Sequence, residues 1–349
     1  MPSNRLVQRK RNLRRRKSTA NKREFAEMRT WFPNRVTIVS EGDSWFAYPS
    51  KWLIGKPPHL ISHISGWCRG KANFYTMASN GDEAVDMVSG AQKHQLVDIL
   101  RWHTKAHNRK PVDLLLFSGG GNDVVGENDF ERFIRPYQPG FTARQCLRIG
   151  RLQRKVRQIG LAYQELLDIR DHYSPATVIM THTYDYPFAS LDGANFLGGL
   201  IKTRGWMKRF MDEVDIPDGL QTGVIKELMD MMAEQSLKIQ RKRDGFVVVD
   251  TRGTLLDRKD WVNEIHPGRD GFEAIAGQGI AAMVEGKHLL VGSERLLQDR
   301  GAALNGLEET LERLEDEAKT AMLVAVDGVA WGIVAVADTV QEGSVGAIR

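Results

Sequence analysis

Cysteine is scarce in this chain: 349 residues carry two, Cys68 and Cys146, with no CxxC pair and no spacing that suits a metal. One bridge could not staple a chain of this size, so the fold must rest on an apolar core. The two thiols read as reduced and the protein as cytoplasmic. Acid is absent from the start, where no Asp or Glu precedes Glu24 and "NRLVQRKRNLRRRKSTANKR" is dense in Arg and Lys. That run carries much of the net charge of +5. Residues 1–30 are expected to be a basic, disordered tail, with weak, salt-sensitive polyanion contact as its physical possibility. No apolar segment follows the basic start, so no secretory signal is expected. No uninterrupted membrane-length run is present either. "TAMLVAVDGVAWGIVAVADT" is broken by Asp327 and Gly328, and "VDGV" signals a hairpin of two short strands. HExxH, GxGxxG and GxxxxGK[ST] are all missing, which leaves no motif for a metal or a nucleotide cofactor, and neither is expected.

What is present is an ordinary globular composition, 42% hydrophobic and 27% charged, with length for about two domains. Five short apolar runs, "RVTIVS", "ANFYTMAS", "VDLLLFSGG", "ATVIMTHTY" and "GFVVVDT", mostly end in small or polar residues. Helical patterns lie between them, including "HQLVDILRWHTKA", the long stretch over 143–173 and "VIKELMDMMAEQSLKIQRKR". Continuous apolar strands alternating with helices predict an α/β fold with a parallel sheet covered on both faces. Ligands of such sheets bind at the carboxyl ends of the strands.

Four polar stretches fall at those ends: "GDS" (42–44), "SNGD" (79–82), "GGGND" (119–123) and "NEIHPGRDGF" (263–272). Acyl transfer needs a nucleophile, a base, an orienter for the base and donors for an oxyanion. Ser44 can be the nucleophile and His266 the base. The backbone N–H groups of Ser44 and Gly81 and the side-chain amide of Asn122 can be the donors. Glycine suits such a position because it lacks a Cβ to block the approach.

The four stretches, in this order over about residues 35–276, resemble the sequence blocks of the SGNH (GDSL) serine hydrolases. The resemblance implies a flavodoxin-like three-layer sandwich, a shallow active-site cleft and cleavage of a small acyl ester. It also implies roles for Ser44 as nucleophile, Gly81 and Asn122 in the oxyanion hole, and His266 as base. One position departs from the pattern. The family usually has Asp three residues before the histidine, and here that residue is Asn263. An amide can accept from the imidazole N–H but cannot offset an imidazolium charge. Asn263, Asp260, Glu264, Asp185 and a backbone carbonyl are all candidates to orient the ring. The alternative to a working esterase is a binding module on the same fold, with the C-terminal segment supplying nucleotide or partner contacts.

From about residue 272 the texture changes. "FEAIAGQGIAAMVEGKHLLVGSERLL", an acidic helix in "LNGLEETLERLEDEAK" and "GIVAVADTVQEGSVGAI" resemble the nucleotide-binding domain of heavy-metal P-type ATPases. Gly277, Gly279 and Gly292 fall where that family's glycines approach ATP. The phosphorylation motif DKTGT and the GDGxND motif are missing, so no ATPase cycle is expected. The division expected is a tail (1–30), a hydrolase domain (31–276) and a truncated α+β segment (277–349). With half of its parent sheet, that segment is expected to pack poorly and to expose edge strands.

Overall fold

The computed structural model describes residues 4–48, 59–103, 110–126, 129–196, 201–277, 280–284, 287–299, 301–317 and 320–336. The chain divides into two compact units, Met1–Ala276 and Gly277–Arg349.

The first unit opens with helices α1 (Asn4–Arg14) and α2 (Lys22–Trp31), followed by β1 (Val36–Gly42), α3 (Leu60–Trp67) and β2 (Ala72–Thr76). Helices α4 (Ala84–Met87) and α5 (Gly90–Leu100) lead to β3 (Leu114–Ser118), α6 (Gly121–Val125) and the long α7 (Ile149–Tyr173). Then come β4 (Val178–His182), a hairpin of β5 (Asp192–Phe196) and β6 (Ile201–Arg204), α8 (Lys208–Glu213), α9 (Asp218–Gln240), β7 (Phe246–Val249) and α10 (Arg269–Gly277).

Five strands form one parallel sheet in the order β2-β1-β3-β4-β7. Every residue of β3 and β4 is buried, as expected of strands covered on both faces. The chain steps outward from β1 to β2 and then returns across β1 to β3, β4 and β7. With right-handed crossovers, α3 therefore lies on one face and α5, α7 and α9 on the other. The result is the flavodoxin-like three-layer α/β sandwich. Phe74, Leu115, Phe117 and Ile179 are completely buried in its core.

From Asn4 onward the basic N-terminus is not disordered as its composition suggested; α2 packs against β2 of the sheet and α1 packs against α2. Asn21 caps α2 by accepting from the Glu24 N–H at 3.0 Å. Phe25 and Met28 are fully buried, and the Phe25 ring stacks on Tyr75 at 5.0 Å. Thr19 pairs with the open edge of β2: its N–H donates to Phe74 O, and Thr76 N–H donates to Thr19 O, each at 3.0 Å. Arginine charge is met by Glu27 on Arg9 (2.6 Å) and Glu24 on Arg16 (2.8 Å). A few apolar residues at helical spacing (Leu13, Phe25, Met28) outweigh the surrounding charge because each is removed from water.

The second unit is an antiparallel sheet in the order β11-β10-β9-β8. Its elements are β8 (Ile280–Val284), β9 (Lys287–Gly292), α11 (Glu294–Asp299), α12 (Glu308–Asp316), β10 (Thr320–Val326) and β11 (Val329–Val336). The hairpin read from "VDGV" is present, with Asp327 at φ 49° and Gly328 at φ 80°, the pair of positive values a two-residue turn requires. Contrary to the expectation of poor packing, the unit has its own core of Leu297, Ala302, Leu311, Leu323, Ala325 and Ala330. Gly277 ends α10 and Gly292 ends β9, while Gly279 lies outside the described residues. Among the described residues no helix is long and apolar enough to cross a membrane.

Candidate active site

The order of strand addition reverses between the parallel neighbours β1 and β3, which makes a topological switch point where the connections after the two strands diverge and leave a crevice. Gly42 pairs with Ser118 at that edge, and Asp43 N–H continues the ladder to Ser118 O at 3.0 Å. A Cβ on Gly42 would stand 2.9 Å from the Ser118 Cβ and carbonyl oxygen, so close strand approach requires glycine here. The chain then turns: Phe46 and Ala47 N–H donate to Asp43 O, and the Asp43 carboxylate accepts from Trp45 N–H at 3.0 Å. Asp43 is thus the cap of this turn. Ser44, one residue on, keeps its side chain for another partner.

That partner is His266. The Ser44 Oγ lies 2.8 Å from His266 Nε2, a bond that joins residues 222 positions apart. On the other side of the ring, His266 Nδ1 is 3.0 Å from Asn263 Oδ1. Asn263 Oδ1 also accepts from the main-chain N–H of Ile265 (3.1 Å) and of His266 (2.9 Å), while Asn263 Nδ2 donates to the Tyr48 hydroxyl at 3.0 Å. Two main-chain donors fix which side of the amide is oxygen. An oxygen facing Nδ1 requires the proton there, which leaves the Nε2 lone pair facing the Ser44 hydroxyl. The loop carrying His266 is tied to the loop carrying Ser44 by the Trp45 indole N–H, which donates to Ile265 O at 3.1 Å. Tyr48 and Trp206 meet the imidazole ring edge-on.

The other orienter candidates are engaged elsewhere. Asp185 accepts from the N–H groups of Tyr186, Gly253 and Leu255. Glu264 accepts from those of Ser190, Trp206, Met207 and Lys208, which ties the start of α8 to the His266 loop. Asp260 closes a short turn through Asp257 N–H.

Gly81 takes φ 92°, where a side chain is strained, although a Cβ there would meet nothing within 4 Å; backbone conformation selects this glycine. Among the described residues neither the Ser44 nor the Gly81 N–H has a hydrogen-bond partner. Asn122 Nδ2 donates one proton to Asp82 O at 3.0 Å and keeps a second. Ser44 and Asn122 border a cavity of about 20 Å³, closed by Val125, Tyr184, Met229 and Ile265. That is room for about one water-sized group.

Burial dominates the electrostatics. It lowers the His266 pKa to about 3, so the imidazole is neutral at neutral pH. Behind the nucleophile, Asp43 accepts from Ser118 Oγ at 2.9 Å and from the Tyr184 hydroxyl, and Ser118 Oγ lies 3.0 Å from His182 Nε2. Desolvation raises Asp43 to about 6 and Glu41 to about 8, and lowers His182 to about 4. At neutral pH Glu41 and His182 are therefore mainly neutral, whereas Asp43 remains mainly ionised and is held by the donors Trp45 N–H, Ser118 Oγ and Tyr184 OH. Trp45, Tyr48 and Tyr184 are buried around the Ser44 turn. Their polar tips, which bind Ile265 O, Asn263 and Asp43, had no local signal. Among the described residues no group of three or more His, Cys, Asp or Glu could hold a metal ion. His94 is exposed and His107 lies outside the described residues.

No family model matches the chain. A part of it is similar to copper-exporting P-type ATPases. It is 47% identical over 73 residues to that of Bacillus subtilis (strain 168), covering 21% of this chain and 9% of the relative. It is also 47% identical over 78 residues to a probable copper-exporting P-type ATPase of Archaeoglobus fulgidus, covering 22% and 9%. The chain thus spans about a tenth of the length of these curated relatives. Among solved structures it is similar to the extracellular lipase of Streptomyces rimosus, with 18% identity, a TM-score of 0.44 and coverage of 68% of this chain and 95% of that one. It is also similar to a carbohydrate esterase family 3 protein of Talaromyces cellulolyticus, with 15% identity, a TM-score of 0.36 and coverage of 69% and 93%.

Proposed function

We propose that the first unit is a serine acyl hydrolase that cleaves esters of small acyl groups through an acyl-enzyme. The observation that carries this reading is the continuous hydrogen-bonded line Ser44 Oγ to His266 Nε2 (2.8 Å) and His266 Nδ1 to Asn263 Oδ1 (3.0 Å). As Ser44 Oγ attacks the ester carbonyl carbon, its proton passes to His266 Nε2. The developing oxyanion receives the N–H groups of Ser44 and Gly81 and the free amide proton of Asn122. His266 then returns the proton to the leaving alkoxide, and a water activated in the same way releases the acid.

Asn263 supplies orientation without charge. In a serine protease, Asp-to-Asn replacement lowers the rate about 10⁴-fold because the ring is held in the wrong tautomer. Here the main-chain N–H groups of Ile265 and His266 turn the amide oxygen to Nδ1, which avoids that failure. The cavity of about 20 Å³ beside Ser44 has room for one methyl-sized group, which favours an acyl chain as short as acetyl.

A fluorophosphonate probe, followed by peptide mapping, tests the nucleophile. Labelling at Ser44 in folded protein, with p-nitrophenyl acetate turned over faster than the octanoate ester, is the expected result. A folded protein that takes no label and turns over no ester would overturn the reading and leave the binding-module alternative.

A further inference from the structure

One feature of the first unit has no part in this chemistry. Between Glu131 and Glu165 the sequence carries eight basic residues and no acid. Arg132 pairs with Asp129 (3.1 Å) and Arg144 with Glu227 (2.7 Å), and Lys155 lies near Glu83 (3.4 Å) and Asp123 (3.8 Å). Arg135, Arg148, Arg151 and Arg154 have no carboxylate partner among the described residues. Together with Arg144 these four line an open groove of about 590 Å³, whose walls contain neither an acid nor an aromatic ring.

Two of the guanidinium groups are already held in place. Arg148 Nε donates to Ile134 O at 2.8 Å, and Arg135 Nε donates to Gln145 O while its plane lies over the Phe141 ring at 4.8 Å. Backbone carbonyls and a ring therefore fix them without neutralising their charge. Crowding like charges at this spacing is unfavourable for the free protein, and more so because the first turn of α7 has no acid. A bound anion of high charge density would relieve the repulsion. Planar guanidinium forks match phosphoryl oxygens in pairs. The groove volume lies within the roughly 300–1,000 Å³ range of small-molecule sites. Without aromatic surface in its walls it offers nothing for bases to stack on, which argues against single-stranded nucleic acid.

We infer that this groove is a binding site for a small polyphosphate-bearing ligand, held by Arg135, Arg148, Arg151 and Arg154. Recognition rests on the phosphate chain, and affinity should fall as salt rises.

Calorimetric titration of the full chain with inorganic tripolyphosphate tests this. The expected result is saturable one-to-one binding, at least about tenfold tighter than for orthophosphate. The Arg151→Gln/Arg154→Gln double variant removes two exposed side chains and should weaken binding at least about tenfold without a change in melting temperature. A Lys10→Gln/Arg11→Gln variant in α1 should bind like the parent, which separates the groove from the other basic segment. Three results would each overturn the inference: no saturable binding, equal affinity in the Arg151/Arg154 variant, or an oligothymidylate that binds as tightly as tripolyphosphate.

Discussion

The two sheets of this chain solve the same burial problem with opposite strand directions, and only one of them gathers polar residues at one place. In the first unit all five strands run parallel, so the loops that follow them emerge at a single edge. Ser44, Gly81, Asn122 and His266 come from four such loops. In the second unit the strands alternate in direction, so successive loops emerge at opposite edges. Its described hydrogen bonds are mostly backbone ladder and turns around a six-residue apolar cluster. Strand direction, more than composition, decides which half of the chain can assemble a multi-residue site.

The sharpest way to break that contrast is at the nucleophile. Ser44→Ala should lower ester turnover by about 10⁴-fold or more while leaving thermal unfolding nearly unchanged, as activity assays and calorimetry would report. Next in size is a test in the other sheet. Leu323 is completely buried, and Leu323→Ala should cost the second unit about 2–5 kcal/mol of stability. Labelling of Ser44 should proceed at the parental rate in that variant. Slower labelling would show that the two units depend on each other.

Asn263→Asp probes the charge that the parallel edge lacks. A carboxylate on the His266 Nδ1 proton should raise kcat about tenfold, since a charge-assisted hydrogen bond exceeds a neutral one by about 1–2 kcal/mol. It should also change the pH profile. The base must be neutral to act, and burial lowers the His266 pKa to about 3, so the parent should show no acid limb between pH 5 and 8 attributable to His266. The new carboxylate favours the imidazolium and raises that pKa, so an acid limb should move upward toward the assayed range. The smallest effect is expected from Tyr48→Phe, which removes the acceptor of the Asn263 amide. A loss of about threefold to tenfold in kcat with KM nearly unchanged corresponds to one neutral hydrogen bond, and Tyr48→Ala should lose more through the packed ring.

Much of this architecture was legible in the sequence because the parallel strands are continuous apolar runs. "LLLFS" and "VIMTH" are buried at every position, and "LLLFS" ends where the polar block "GGGND" begins. The departure at Asn263 was visible too, but its meaning was not. What turns its oxygen toward His266 is a pair of main-chain N–H groups, and what holds its nitrogen is a hydroxyl 215 positions away. The β5–β6 hairpin and the anchoring of α8 by Glu264 gave no periodic signal. The basic N-terminus misled for a related reason: charge density describes the outer faces of α1 and α2, while burial of Leu13, Phe25 and Met28 decides whether those helices dock.

That docking bears on how the protein behaves in company. Thr19 occupies the backbone hydrogen-bonding positions of Phe74 and Thr76 along the outer side of β2. It is a single-residue extension of the sheet, placed where a strand from another molecule could otherwise attach. A variant trimmed at residue 20 to remove a seemingly dispensable basic leader would uncover that row of donors and acceptors. The leader would then prove to be a seal against polymerisation, and its loss would appear first as turbidity and rising light scattering.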